Sequence, residues 1–459
     1  NKLKGEPYSL NSVDDILEEI DQISVTEQFE SISASVSENI SSDKINLKFI
    51  IEDIDKFTIE RVNIYGNNVT RENVIRNQLV IDEGDIYNEI LEKKSENNLK
   101  SLNFFKNVKL ESKDGDQQGS KIIDIYIEEK PTGEISAGAG FGTSGGSITA
   151  GIKENNYLGK GLALNTNLTI SNDSLQGLFS VNNPNFNNSN KSLYATIEAS
   201  EFDRLTLSGY KNNKTGFVYG TDFEYLDDLF VGLGNSNYYE KIETNSNASE
   251  TQKKQEGDYW DSFLKFNLFY DKRNQKFKTS KGFFNSYKSN VPLISESNTF
   301  TNSFETKYFT ELYEGNISTF SIFLKSAKSI TNDNIKLSER LFVPSKKLRG
   351  FERGKIGPID GSTYVGGNYL TSLNFTSTLP YLLENSESLD LLFFIDAVNL
   401  WGVDYNTSLD NKDNINSSLG IGIDYFSPIG PLSFSFAQPL TKNSSDITET
   451  FRFNIGTSF

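Results

Sequence analysis

The chain has 459 residues, with 62 Asp and Glu against 45 Lys and Arg, and contains no Cys, His or Met. Without Cys or His it can build no disulfide framework, no Cys/His zinc site and no histidine-based nucleophile relay. The net charge of −17 argues against a nucleic-acid partner, which would ask for a basic face.

The mean hydropathy of −0.46 is polar. No run of about 18 apolar residues offers a transmembrane helix. A membrane β-barrel has a similar average, because lipid-facing and lumen-facing residues alternate along each strand. The 34 Gly and 34 Phe suit a large β structure with many tight turns.

In chain order, residues 12–23 place Val13, Ile16, Leu17, Ile20 and Ile23 at helical spacing, with acids on the other face. Strand patterns follow at residues 29–36 and 45–51. A new unit then begins: a strand at 57–65 closed by Gly66-Asn67-Asn68, helical stretches at 71–79 and 88–102, and strands at 107–112 and 121–128. That order, β-α-α-β-β, describes a compact α+β module.

The two stretches repeat. Gly5-Glu6-Pro7-Tyr8 matches Gly84-Asp85-Ile86-Tyr87, each ahead of a helix, and residues 47–52 match 123–128. Residues 1–52 are therefore expected to be the later part of a module and 57–130 a complete one. A repeat cut in mid-unit, in a chain without Met, leads us to expect a longer natural protein.

The strand before Gly66-Asn67, the Gly84-Asp85-x-Tyr87 helix start and the Phe104-Phe105-x-x-Val108 step resemble polypeptide-transport-associated (POTRA) modules. The resemblance implies an exposed strand edge offered to passing chains by strand addition. A plain spacer role stays open.

Past Glu129-Lys130-Pro131 the texture changes. Ile135, Ala137, Ala139 and Phe141 alternate with Ser136, Gly138, Gly140 and Gly142, and period-2 alternation then runs to the end. Leu264, Phe266, Leu268 and Tyr270 share one face; so do Phe320, Ile322 and Leu324, and later Leu419, Ile421 and Ile423. At about 20 residues per strand and connection, residues 131–459 give roughly 16 antiparallel strands. An open sheet of that size would leave long edges, so a closed transmembrane barrel is expected. Residues 235–257 read as a long polar loop on the outer side.

Other motifs carry little. Gly140-x-Gly142-x-x-Gly145 imitates a dinucleotide fingerprint, but a strand follows it where a helix must begin. Asp227-Asp228 has no nucleophile or base beside it. No cofactor, metal site or catalytic residue is expected.

Several motifs are similar, in order, to those of the BamA-type outer-membrane assembly factors. They include Pro131-Thr132-Gly133, Asn156-Tyr157-Leu158-Gly159-x-Gly161, Asp271-x-Arg273 and Leu348-Arg349-Gly350-Phe351, with Leu for the usual Val. Ile356-Gly357-Pro358, Gly366-Gly367-Asn368, residues 427–432 and Phe453-Asn454-Ile455-Gly456 up to Phe459 complete the series.

The resemblance implies a bacterial outer-membrane protein with periplasmic POTRA modules. Its partners would be client β-barrel proteins, accessory lipoproteins such as BamD at the last module, and the lipid bilayer. It also implies a sixth outer loop tucked into the barrel, where Arg349, with Gly350 and Phe351, meets an inward carboxylate. The outward set Leu389, Leu391, Phe393, Ile395 and Ala397 turns Asp396 into the lumen, so Asp396 is the expected partner. On the preceding strand, the inward position that is often Glu in the family is Asn374.

A lateral seam is expected between the first strand, with Gly138, Gly140 and Gly142, and the last, with Phe453, Asn454, Ile455, Gly456 and Phe459. There the first strand would pair with an incoming barrel protein. Cysteines at Gly140 and Ile455 should cross-link it. The glycines could instead relieve crowding in a curved sheet. The rival function is a POTRA-barrel transporter that secretes or translocates a partner protein through its pore.

Overall fold

The computed structural model describes Ile23 and residues 32–41, 44–53 and 56–456, apart from 144, 190, 247, 277, 278, 297, 332, 381–388, 410–413, 428 and 429. The expected helix at 12–23 thus lies, except for Ile23, outside the described residues, as does Phe459. The chain divides into two compact units: residues 1–133 with 155–162, and residues 134–154 with 163–459.

In the first unit, β1 (Ile32–Ser41) and β2 (Lys44–Asp53) form an antiparallel pair. A second sheet is built from β3 (Thr58–Tyr65), β4 (Phe105–Asp114) and β5 (Ser120–Glu129), in the order β3-β5-β4, with β3 and β5 parallel. Between β3 and β4 lie α1 (Glu72–Arg76) and α2 (Glu89–Ser101).

The helix expected over 71–79 stops at Arg76, and turns carry the chain through Leu79. Ile59, Val62, Ile75, Leu99, Ile123 and Ile125 are buried together. Each such side chain contributes about 1.5–3 kcal/mol through removal from water.

Asn156, also of this unit, donates to Thr70 Oγ1 at 2.9 Å and accepts from the Gly161 N–H at 2.7 Å. Gly159 has φ +66°, and a Cβ there would lie 1.8 Å from the Val69 carbonyl oxygen. The Asn156-to-Gly161 motif thus builds a tight turn against residues 69–71.

The second unit is an antiparallel barrel. Its strands are β6 (Gly133–Gly142), β7 (Gly145–Tyr157), β8 (Leu162–Ser171), β9 (Ser174–Asn183), β10 (Lys191–Arg204), β11 (Tyr210–Leu226), β12 (Leu229–Thr244) and β13 (Gly257–Asp271). They continue as β14 (Gly282–Ser295), β15 (Thr299–Thr310) and β16 (Ser318–Ser329). A two-residue-strand hairpin, β17 (Ile359–Asp360) and β18 (Thr363–Tyr364), lies in the next connection. The wall ends with β19 (Tyr369–Thr378), β20 (Leu389–Trp401), β21 (Asn416–Ser427), β22 (Gly430–Thr441) and β23 (Phe451–Gly456). Among the described residues sixteen strands close the circle, with β23 beside β6.

The wall is inverted relative to a soluble core. Leu264, Phe304, Phe320, Ile322, Leu324, Ile421 and Phe436 are exposed on the outside. Ser236, Asp261, Ser289, Ser372, Asp396, Ser418 and Arg452 are buried polar groups on the other face. Only a lipid exterior makes that arrangement favourable.

Two expectations are corrected. Residues 235–244 are not loop but the second half of β12, with Tyr239 outward and Ser236, Tyr238 and Glu240 buried. Their inward set is polar enough to hide the alternation. The polar connection is only residues 245–256, closed by a capped turn in which Ser249 and Gln252 bond each other's backbone N–H. Second, Gly140 is opposite Gly456, and Ile455 is opposite Phe141. With a side-chain period of two, Gly140 and Ile455 face opposite sides of the wall and cannot be cross-linked directly.

Candidate functional site

The connection between β16 and β19 is long and folds into the lumen. Its apolar residues Ile335, Leu341, Val343, Leu348, Phe351 and Ile356 pack against Ala327, Leu370, Val398 and Leu400 of the wall. This buried apolar surface gives the loop a position, and polar contacts give it a register.

Arg349 is the centre. Its Nε donates to Asp396 Oδ2 at 2.7 Å and its Nη2 to Oδ1 at 2.8 Å, while its backbone N–H reaches Oδ2 at 3.1 Å. The guanidinium stacks on Phe394, 3.5 Å from the ring centroid. Asp396 is fully buried. A two-pronged fork is directional, so it fixes the orientation of the loop as well as its place.

Asn374, directly opposite Asp396 on β19, donates to Asp396 Oδ1 at 2.8 Å and to the Lys347 carbonyl at 2.7 Å. A neutral amide therefore orients the one carboxylate and also holds the loop. Gly350 has φ +87°, and a Cβ there would come within 3.1 Å of Ala437 Cβ. Phe351 is buried and its backbone bridges to Thr448. Arg349, Gly350, Phe351 and Asp396 are thus brought together.

Three further anchors escaped the sequence reading. Lys336, buried, pairs with Glu240 at 2.7 Å and with Asp261, and faces the Tyr259 ring. Arg340 pairs with Asp404 and donates to Asn368 Oδ1 at 3.2 Å. Arg452, on the last strand, donates to the carbonyls of Ser345 at 2.8 Å and Phe351 at 2.5 Å, and to Glu449 at 2.8 Å. The only sequence signal for Arg452 was a charge at an inward position of β23.

The seam contrasts with this loop. Among the described residues β23 and β6 exchange three residue pairs: Asn454 with Gly142, Ile455 with Phe141, and Gly456 with Gly140. By comparison β19 and β20 exchange ten, and β10 and β11 fourteen. The register places Gly138 opposite a position outside the described residues, so its pairing is not among those seen. A Cβ at Gly142 would sit 2.5 Å from the Phe453 carbonyl oxygen, so closure there depends on glycine. Phe141 and Phe453 touch across the seam, with centroids 6.0 Å apart.

The Omp85 superfamily domain matches residues 156–459, well over half of the chain. The chain belongs to the Omp85 superfamily. Residues 57–130 of this Omp85 chain match a POTRA family described as a surface antigen variable number repeat. It is 25% identical over 431 residues to the outer membrane protein assembly factor BamA of Neorickettsia risticii, covering 91% of this chain and 57% of that one. It is 23% identical to that of Neisseria meningitidis, covering 94% and 60%. The Omp85 chain spans less than two thirds of the length of these relatives.

Its fold is similar to the crystal structure of BamA from Haemophilus ducreyi lacking POTRA domains 1–3. There the TM-score is 0.80 at 22% identity, covering 98% of this chain and 94% of that one. CdiB from Acinetobacter baumannii shares the architecture at TM-score 0.55 and 11% identity, covering 99% and 85%. This is a POTRA-plus-barrel protein of the Omp85 superfamily, and its place is the bacterial outer membrane.

Proposed function

We propose that this protein folds and inserts other β-barrel proteins into the outer membrane. The observation that supports the reading is the seam between β23 and β6, which among the described residues holds three residue pairs, against five between β22 and β23 and ten between β19 and β20. An edge held by so few main-chain hydrogen bonds, each worth about 1 kcal/mol net, opens at low cost. Opening exposes β6 as a template for the terminal strand of a client, and main-chain pairing tolerates many client sequences. Insertion is then driven by the client's own folding and by local thinning of the bilayer beside the seam. No step needs a catalytic residue or cofactor.

In the same reading residues 57–130 are the last POTRA module before a barrel of residues 131–459, and residues 1–52 are part of the module before it. They face the periplasm, deliver clients by strand addition, and carry accessory lipoproteins such as BamD at the last module. Arg349, Gly350, Phe351 and Asp396 hold the lumenal loop. Gly138, Gly140, Gly142 and residues 453–456 form the gate.

Cysteines replacing Phe141 and Ile455, which oppose each other across the seam, test the gate. A disulfide between them should abolish client insertion in reconstituted vesicles and leave the barrel folded, with activity returning on reduction. Full activity in the oxidised form would refute the gate. Passage of a partner protein through the pore of the cross-linked barrel would support a transporter instead.

A further inference from the structure

The chain is strongly acidic, yet one part of its lumen is basic. A cavity of about 520 Å³ is lined by Lys214, Lys265, Lys288 and Lys325, with Arg340 and Glu339 at its loop side. The four lysines come from four strands, β11, β13, β14 and β16, each at an inward position of the alternation. The registers agree: Lys265 is opposite Gly234, whose own opposite on β11 is Gly220, and Lys288 is opposite Ser303, which is opposite Lys325.

Among the described residues none of these four lysines closes to ion-pair distance with a carboxylate. Lys214 lies 4.1 Å from the Tyr238 ring centroid and Lys288 5.4 Å from that of Phe269, contacts that leave their ammonium donors unspent. Arg340, by contrast, is taken by Asp404. Glu198 and Asp222 face the lumen from β10 and β11. With Glu339 they moderate the positive field without neutralising any one lysine.

Ammonium groups gathered around one space repel each other, and a multivalent anion between them removes that repulsion. Lysine presents a compact point charge suited to phosphate oxygens, whereas planar carboxylate recognition favours a free arginine fork, and none lines this space. A volume of this size is in the range of small-molecule sites. The wall from β11 to β16 is continuously paired, so the occupant comes from the aqueous side rather than from lipid.

We infer that Lys214, Lys265, Lys288 and Lys325 form a lumenal binding site for a small soluble oligophosphate anion. The site is independent of the seam and of its opening.

The test is calorimetric titration of inorganic tripolyphosphate into the full chain, folded in zwitterionic micelles. Saturable binding that weakens with added salt is expected. Lys265→Gln with Lys325→Gln, or Lys214→Gln with Lys288→Gln, should each weaken it by roughly tenfold or more. The exposed Lys442→Gln should not. Heat-modifiable mobility shows that each variant is folded, and the two independent pairs guard against a misfolded one. Absence of saturable binding, or unchanged binding in both folded double variants, would overturn the site. Tighter binding of a short polyglutamate peptide would overturn the phosphate assignment.

Discussion

The lumenal loop and the seam are both held by the barrel's inner or edge chemistry, but in opposite measure. Arg349 alone has a two-pronged carboxylate, a ring beneath it and a backbone bond, and Lys336, Arg340 and Arg452 hold the same loop elsewhere. Among the described residues the seam has three residue pairs and, at Gly142, no room for a Cβ beside the Phe453 carbonyl. If the seam opens as proposed, rigidity in the wall and loop around it confines the opening to that one line. Arg452 is where the two regions meet, since it stands on the seam strand and bonds the loop.

The largest effect is expected from Asp396→Ala. It leaves the Arg349 charge without its partner in a buried site, a loss of about 3–5 kcal/mol. Hydrogen exchange should show residues 345–357 losing protection while the β19–β20 pairing persists. Retained protection would mean that apolar packing alone holds the loop.

Arg452→Ala comes next, at about 1.5–3 kcal/mol for charge-assisted bonds to buried carbonyls. Here exchange should rise together in residues 345–351 and 451–456. A rise confined to one of the two segments would separate loop from seam and break the link drawn above. Asn374→Ala removes two neutral bonds, to Asp396 and to the Lys347 carbonyl, at about 1 kcal/mol each. Limited proteolysis of the loop should accelerate modestly. No change would show that the fork needs no orienting amide.

The smallest effect lies away from both regions and serves as their control. Burial raises the pKa of Glu129, but bonds from Thr70, Val69 and Asn68 outweigh it and hold the carboxyl below its ordinary value. A depressed folded pKa gives stability that is present above the unfolded value and lost as pH falls through the folded one. Turn 66–71 should therefore loosen in acid, below about pH 4.3. In Glu129→Gln that acid dependence should vanish, with loop 345–357 unaffected. Acid loosening that survives the substitution would assign it to another group.

Much of this was legible before any tertiary contact was known. Alternation located the strands and their outward faces, because lipid selects apolar side chains at every second position. It also turned Asp396 inward, because Ile395 and Ala397 had to face out. The lumenal place of the motif around Arg349 was legible only through its resemblance to the BamA-type motifs, because an Arg and a Phe among glycines by themselves suit a tight surface turn. Residues 235–244 were misread because a strand whose inner face is polar and whose outer face is partly aromatic carries a weak periodic signal.

The sequence by itself determined the module, the barrel class, the inward turn of Asp396 and the glycine content of the first strand, all local properties of period and composition. The tertiary structure alone decided which residues meet. Arg452 finds Ser345 more than a hundred positions away, Lys336 finds Glu240 and Asp261, and Ile455 pairs with Phe141 rather than Gly140. Closing a barrel sets the register by joining its two ends, and no local pattern encodes where distant ends meet.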